Sequence, residues 1–214
     1  MSTHPAREVD GALPLGRLEA FSDGVFAIAI TLLVLELGVE ADAGDHLLRS
    51  LLDEWPSFLA YVTSFLTIGV IWLQHSAITG ALRGADPTLY RLNLLVLLLA
   101  SFLPFPTKLA AEFIGERDPA RIAAVFYGLV LLPLALALTA FVRYAAENRR
   151  LVADHVEAEA VEAALVHQPS FLFYGIGIAI SLVAPTLGIA FYLGTSIYLG
   201  IPGRTIRRLL RRRR

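Results

Sequence analysis

The sequence predicts an all-α membrane protein with six transmembrane helices per chain. Three observations carry this: a composition too apolar for a soluble domain, apolar residues gathered in span-length blocks, and an uneven distribution of basic residues. Of the 214 residues, 56% are hydrophobic and 17% charged, and the mean hydropathy is +0.64, outside the range of an ordinary soluble domain. A span needs roughly 20 apolar residues, and clear blocks run over 18–37, 56–80, 88–109 and 121–144. The last block, Phe171 to Ile201, is too long for one span and short for two, and Pro185 interrupts it together with Gly175, Gly177, Gly188, Gly194 and Gly200. Charge decides between five and six spans, because cytoplasmic loops hold the Lys and Arg excess. With six spans and the N-terminus inside, fourteen of the eighteen Lys and Arg residues fall on the cytoplasmic side. Five spans would put the seven arginines of the last eleven residues outside, so the sixth span follows a tight turn near Pro185.

Residues 1–16, with Pro5, Pro14 and few apolar groups, are expected to form a disordered cytoplasmic arm. The six-helix domain runs over 17–203, and 204–214 form a polybasic cytoplasmic tail with an affinity for anionic lipids. The first span, RLEAFSDGVFAIAITLLVLEL, holds Arg17, Ser22 and Asp23 in its opening turns. Asp23 and Glu36 bracket an apolar segment that a cleaved signal peptide keeps uncharged, and the start is not strongly basic, which argues against one. An ionisable group inside a span is a functional-site candidate whose partner must be found. Asp23 has only Glu19, Ala20, Phe26 and Ala27 at helical neighbour spacing, so its partner belongs to another helix. The alternative is that Arg17 and Asp23 snorkel to the headgroup level.

After the first span, DHLLRSLLDEW at 45–55 gathers Leu47, Leu48, Leu51, Leu52 and Trp55 on one face, the pattern of a short interfacial helix. In the second span Thr63, Ser64 and Thr67 can bond the first helix near Thr31 or merely their own backbone carbonyls. Pro104 and Pro106 break the third helix near its outer end. The stretch 147–168 has helix-forming composition with scattered acids and suits a solvated connector. Gly177-x-x-x-Ser181 suits close helix packing.

Enzyme chemistry finds little foothold. There is no cysteine, hence no thiolate nucleophile and no cysteine metal site. No Walker loop, H-E-x-x-H, G-x-S-x-G or paired carboxylates within a span are present. His155 and His167 lie twelve apart without an acid or thiol cluster, so no metal site is expected. Transport or conduction remains. Within the first span, Ile28, Thr31, Leu32 and Leu35 follow the offsets 0, +3, +4 and +7 and share a stripe. Around a symmetry axis that stripe makes apolar rings with one ring of hydroxyls, a constriction that can gate by dewetting; in a packed core the same stripe is only core.

The string Arg17-x-x-x-Phe21-Ser22-Asp23-Gly24, continuing through Ala27-Ile28-Ala29-Ile30-Thr31-Leu32-Leu33, resembles the signature of the transmembrane protein 175 family of endosomal and lysosomal potassium channels and their prokaryotic homologues. Trp72-x-x-His75, Arg91-x-Asn93 and Leu103-Pro104-Phe105-Pro106-Thr107 are similar to the same pattern. Ser76 departs from it, standing where the family often has a second histidine. The resemblance covers nearly the whole chain and implies a single-repeat prokaryotic homotetramer with the first span lining a central pore. It further implies a hydrophobic constriction at Ile28, Leu32 and Leu35, a potassium-preferring Thr31, and a structural polar network of Arg17, Ser22, Asp23 and His75. The chain lacks a TVGYG filter, so the expected potassium over sodium selectivity is modest.

The expected function is therefore a potassium-permeable channel in a prokaryotic inner membrane, termini cytoplasmic, with potassium as the permeant ion, no cofactor and no nucleic-acid partner. The competing reading is a proton-coupled secondary transporter using Asp23 and His75. That reading predicts inverted repeats and broken helices at matching positions, and no internal repeat is evident. A non-conducting scaffold would have no use for Arg17, Ser22 and Asp23 at the head of an apolar span.

Overall fold

A computed structural model of the chain describes residues 14–38, 46–113, 115–153 and 170–200. The polybasic tail, residues 1–13 of the N-terminal arm, and both His155 and His167 lie outside those residues. Helix α1 spans Leu15–Leu32 and continues as a tighter 3-10 turn over Leu33–Glu36, so it begins two residues before the expected boundary. A short helix, α2, covers Leu47–Asp53, and α3 follows over Trp55–Thr79 with Pro56 in its first turn. Helices α4 and α5, Pro87–Phe102 and Pro104–Phe113, are two segments of one apolar stretch, and α6 runs over Arg117–Glu147. Two further helices among the described residues are α7, Ser170–Val183, and α8, Pro185–Gly200.

Among the described residues four helical stretches, Leu15–Glu36, Trp55–Thr79, Pro87–Phe113 and Asp118–Glu147, are long and apolar enough to cross a membrane. At about 1.5 Å per residue α7 and α8 are only about 21 and 24 Å long, shorter than the roughly 30 Å hydrocarbon layer. They form an antiparallel hairpin about Ala184. Gly177 faces Tyr192 and Gly188 faces Ser181 so closely that a methyl group on either glycine would overlap its neighbour. Ala184 N–H bonds the Ile180 carbonyl at 2.8 Å and Gly188 N–H bonds the Ala184 carbonyl at 3.0 Å, which carries hydrogen bonding through the turn that Pro185 forces.

The break between α4 and α5 has the cause expected from its prolines. Leu103 N–H reaches only the Ala100 carbonyl at 3.2 Å, and Pro104 and Pro106 supply no N–H to continue the ladder. Both fall in the first turn of α5, where N–H groups have no intrahelical acceptor. Pro133 lies inside α6, a placement that helices surrounded by other helices tolerate.

Helix α6 is central. It packs against α4, α5, α7 and α8, while α1 packs against α3 and α4. Tyr127, Leu131, Leu134 and Phe141 of α6, Phe26 of α1, Ile68 of α3 and Tyr192 of α8 belong to one buried core. Hydroxyls cross-link it: Ser64 meets Thr107 at 2.6 Å and Tyr127 at 2.8 Å, and Thr67 meets Ser196 at 2.6 Å. Of the two routes open to Thr63, Ser64 and Thr67, the one to the first helix near Thr31 is not taken. Thr63 and Thr67 bond their own helix at Leu59 and Thr63, and Ser64 and Thr67 reach α5, α6 and α8 instead.

At the other end of α6 the chain leaves the helix at Asn148, so the helix expected over 147–168 is not continuous through its first residues. Residues 149–151 make a 3-10 turn, and Val152 pairs with Leu82 in an isolated antiparallel bridge. Arg83 N–H bonds the Leu151 carbonyl at 2.9 Å and Ala153 N–H the Ala81 carbonyl at 3.0 Å. Burial of Leu151 and Val152 against the α3–α4 turn outweighs helix propensity there. Asp86 completes this clasp. Its carboxylate caps α4 by accepting the Leu89 N–H at 2.9 Å, and accepts the Tyr144 hydroxyl at 2.7 Å and the Arg150 guanidinium at 2.9 Å.

Candidate functional site

Helix α1 has two unlike faces. Leu18, Ser22, Phe26 and Ala29, followed by Leu33 in the 3-10 turn, are buried against the rest of the chain. On the opposite face Ile28 is 61%, Leu32 42% and Leu35 73% exposed, and Thr31 is exposed with them. All four residues of the predicted stripe thus share the uncovered face. The 3-10 turn refines that stripe, because residues three apart eclipse one another in a 3-10 helix. Leu35 therefore stacks along the axis over Leu32, where an α-helix would rotate it away by about 60°. The Thr31 hydroxyl donates to the Ile28 carbonyl at 3.0 Å, so its lone pairs are left to face outward.

The buried face is anchored by polar groups. Asn93 of α4 stands between Ser22 and His75. His75 Nε2 meets Asn93 Oδ1 at 2.6 Å, Asn93 Nδ2 donates to Ser22 Oγ at 3.0 Å, and Ser22 donates to the Leu18 carbonyl at 2.7 Å. Because an amide oxygen only accepts, this arrangement has the His75 proton on Nε2. The imidazole is also held between two rings, stacked on Phe141 at 5.3 Å and edge-on to Phe26 at 5.5 Å. Three helices are thus tied through one amide.

Of the four residues expected in a polar network, Ser22 and His75 come together here and Arg17 and Asp23 do not. Asp23 is exposed and accepts the Trp72 indole N–H at 2.8 Å. Arg17 is exposed, with no hydrogen-bond or ion-pair partner among the described residues. Sequence reasoning gave Asn93 no role in the network, although Arg91-x-Asn93 and Trp72-x-x-His75 both stood among the motifs. The signal was a polar amide on a span with no local partner, the same signal that singled out Asp23. Among the described residues no group of three His, Asp or Glu side chains is arranged to hold a metal.

Residues 17–104 match the family described as the endosomal/lysosomal potassium channel TMEM175. A potassium channel of Streptomyces collinus is 38% identical over 86% of this chain and 91% of its own length. A potassium channel of Chamaesiphon minutus is likewise 38% identical, over 87% of this chain and 93% of its own. The chain belongs to the TMEM175 family. Its fold agrees: the crystal structure of a lysosomal potassium-selective channel TMEM175 homologue from Chamaesiphon minutus superposes with a TM-score of 0.76 at 37% identity, covering 86% of this chain and 95% of that one. Membership makes the chain a multi-pass membrane protein of an ion-channel family rather than an enzyme. The polar anchor and the exposed stripe of α1 both fall inside the matched 17–104 segment.

Proposed function

We propose that this chain is one subunit of a homotetrameric, potassium-permeable channel in a prokaryotic inner membrane, with α1 lining the central pore. The observation that carries the reading is the uncovered stripe of Ile28, Thr31, Leu32 and Leu35, backed by a face fixed through Ser22, Asn93 and His75. A rigid helix with a bare apolar stripe suits assembly around an axis. Ile28, Leu32 and Leu35 then form stacked hydrophobic rings, and outward-facing Thr31 lone pairs replace part of the ion's water shell between them. Side-chain oxygens and apolar rings discriminate less sharply than stacked backbone carbonyls, so selectivity for potassium over sodium is modest.

Six crossings account for the chain: α1, α3, the broken α4–α5 helix, α6, α7 and α8. The short α7–α8 hairpin fits if the bilayer thins beside it. Both termini are cytoplasmic by the distribution of basic residues, and the arginines of 204–214 attract anionic lipids. Arg17 and Asp23, exposed on the single subunit, join the polar network where neighbouring subunits cover this face. A proton-coupled carrier needs Asp23 and His75 to exchange a proton. The two are not bonded to one another: Asp23 accepts from Trp72 and His75 meets Asn93.

Two substitutions test the pore reading on reconstituted protein, with flux normalised to assembled oligomer. Ile28→Asn eases wetting of the narrowest ring, so potassium flux rises and discrimination against sodium falls. Thr31→Val removes the hydroxyl at nearly constant volume and shifts the reversal potential toward lower selectivity. A lower flux in the first variant with an unmoved reversal potential in the second removes α1 from the permeation path.

A further inference from the structure

Beyond the constriction, the charge at the C-terminal end of α1 has a consequence for ion entry. Glu36 closes the 3-10 turn directly after Leu35, the last residue of the stripe. Its carboxylate meets the Lys108 ammonium at 3.6 Å, with the Glu36 side chain 24% and the Lys108 side chain 58% exposed. Lys108 is carried by α5, whose position is rigidly set. Thr107 beside it is buried, donates to the Leu103 carbonyl at 2.7 Å and meets Ser64 of α3 at 2.6 Å. Glu112 lies one turn further along α5 and is exposed. Among the described residues the ion pair of Lys108 is nonetheless with Glu36.

Two fields meet at this spot. The C-terminal carbonyls of a helix carry partial negative charge that favours a cation, and Glu36 adds a full negative charge to the same end. Glu36 stacks over the buried Leu33 and so stands behind the stripe, but repeated around an axis these groups still place a ring of negative potential around the end of the last hydrophobic ring, which raises the local cation concentration. Lys108 stands against that ring as a tethered cation competing with the permeant one. We propose that Lys108, through its pairing with Glu36, sets the rate at which potassium enters the pore from this mouth. This rests on the reading of α1 as the pore helix.

The test is single-channel recording of the full-length chain in planar bilayers, in both current directions, with oligomer confirmed by native mass. Lys108→Gln is expected to raise the potassium current entering from the Glu36 mouth by about twofold or more at low ionic strength. Glu36→Gln is expected to lower it, and Lys108→Arg to leave it unchanged. These differences should be large near 0.01 M salt, where the Debye length is about 30 Å, and collapse near 1 M, where it is about 3 Å. An unchanged or smaller current in Lys108→Gln, or a change of equal size at both salt concentrations, overturns the proposal. If Lys108→Gln does not assemble, Glu36→Gln decides by the same salt criterion. Recording Ile28→Asn in the same bilayers separates the two readings. Should it alter flux while neither charge variant does, only the role of Lys108 falls; should none of the three alter current, the pore reading falls with it.

Discussion

Asn93 is the residue on which the anchoring of α1 turns. It is buried, and its amide serves His75 and Ser22 at once. Asn93→Ala leaves the His75 N–H without an acceptor in a dry site, a loss of about 1–3 kcal/mol for an unsatisfied buried donor. The expected result is a lower midpoint for loss of the folded oligomer on heating in detergent, followed by size-exclusion chromatography. Within one subunit the Asp23 bond to Trp72 is exposed and water can replace it, so Asp23→Ala costs the oligomer as much as Asn93→Ala only where a neighbouring subunit covers that bond. The ranking is the measurement: a larger loss for Asp23→Ala than for Asn93→Ala would mean that Asp23 is buried by a neighbouring subunit and carries more of the network than Asn93 does.

Among the elements, the clasp between the α3–α4 turn and the end of α6 has a pH signature. Burial by itself would raise the Asp86 carboxyl, but the Leu89 N–H, the Tyr144 hydroxyl and the Arg150 guanidinium outweigh it and hold the group below the usual carboxylate value. A carboxyl lowered in the folded state adds stability that is complete above the unfolded value of about 3.9 and is lost as pH falls through the folded one. Thermal stability should therefore hold from neutral pH to about 5 and decline below about 4, more steeply than in Asp86→Asn. Asp86→Ala removes the helix cap as well, at about 1 kcal/mol, together with hydrogen bonds to a charged group at about 1.5–3 kcal/mol. Asparagine keeps the cap. Equal destabilisation by alanine and asparagine at neutral pH would show that the charge, not the cap, accounts for the loss.

For the whole molecule, the bare stripe of α1 is the feature that a single copy leaves unexplained. Ile28 and Leu35 are more than half exposed, and with Thr31 they form a surface that, on the proposed reading, faces the axis of an assembly. Closed cyclic assembly is the expected solution. Native mass spectrometry of the detergent-solubilised protein should give four copies, and a stable monomer would remove the channel reading. The exposed leucines of α2 and the outward residues Leu94, Leu98 and Phe102 of α4 need no such explanation, since apolar surface is what a bilayer takes.

The order of amino acids alone dictates the class, the span-length blocks, the turn at Pro185 and the break at Pro104, because hydropathy and proline geometry are local and survive in any tertiary context. It also determined that Ile28, Thr31, Leu32 and Leu35 share a face, since helical period alone decides that. Its motifs resemble those of one channel family. Packing between distant helices makes Asn93 the partner of Ser22 and His75, seventy-one and eighteen residues away along the chain. The same holds for Asp23 meeting Trp72, for Thr67 bonding Ser196 rather than the first helix, and for Val152 leaving a helix-forming stretch to pair with Leu82. The 3-10 turn that stacks Leu35 over Leu32 was equally hidden from the helical period. The physical reason is common to all of these. A polar group in a dry interior takes whichever donor or acceptor packing brings within about 3 Å, and packing is decided by helices that sequence spacing cannot bring together.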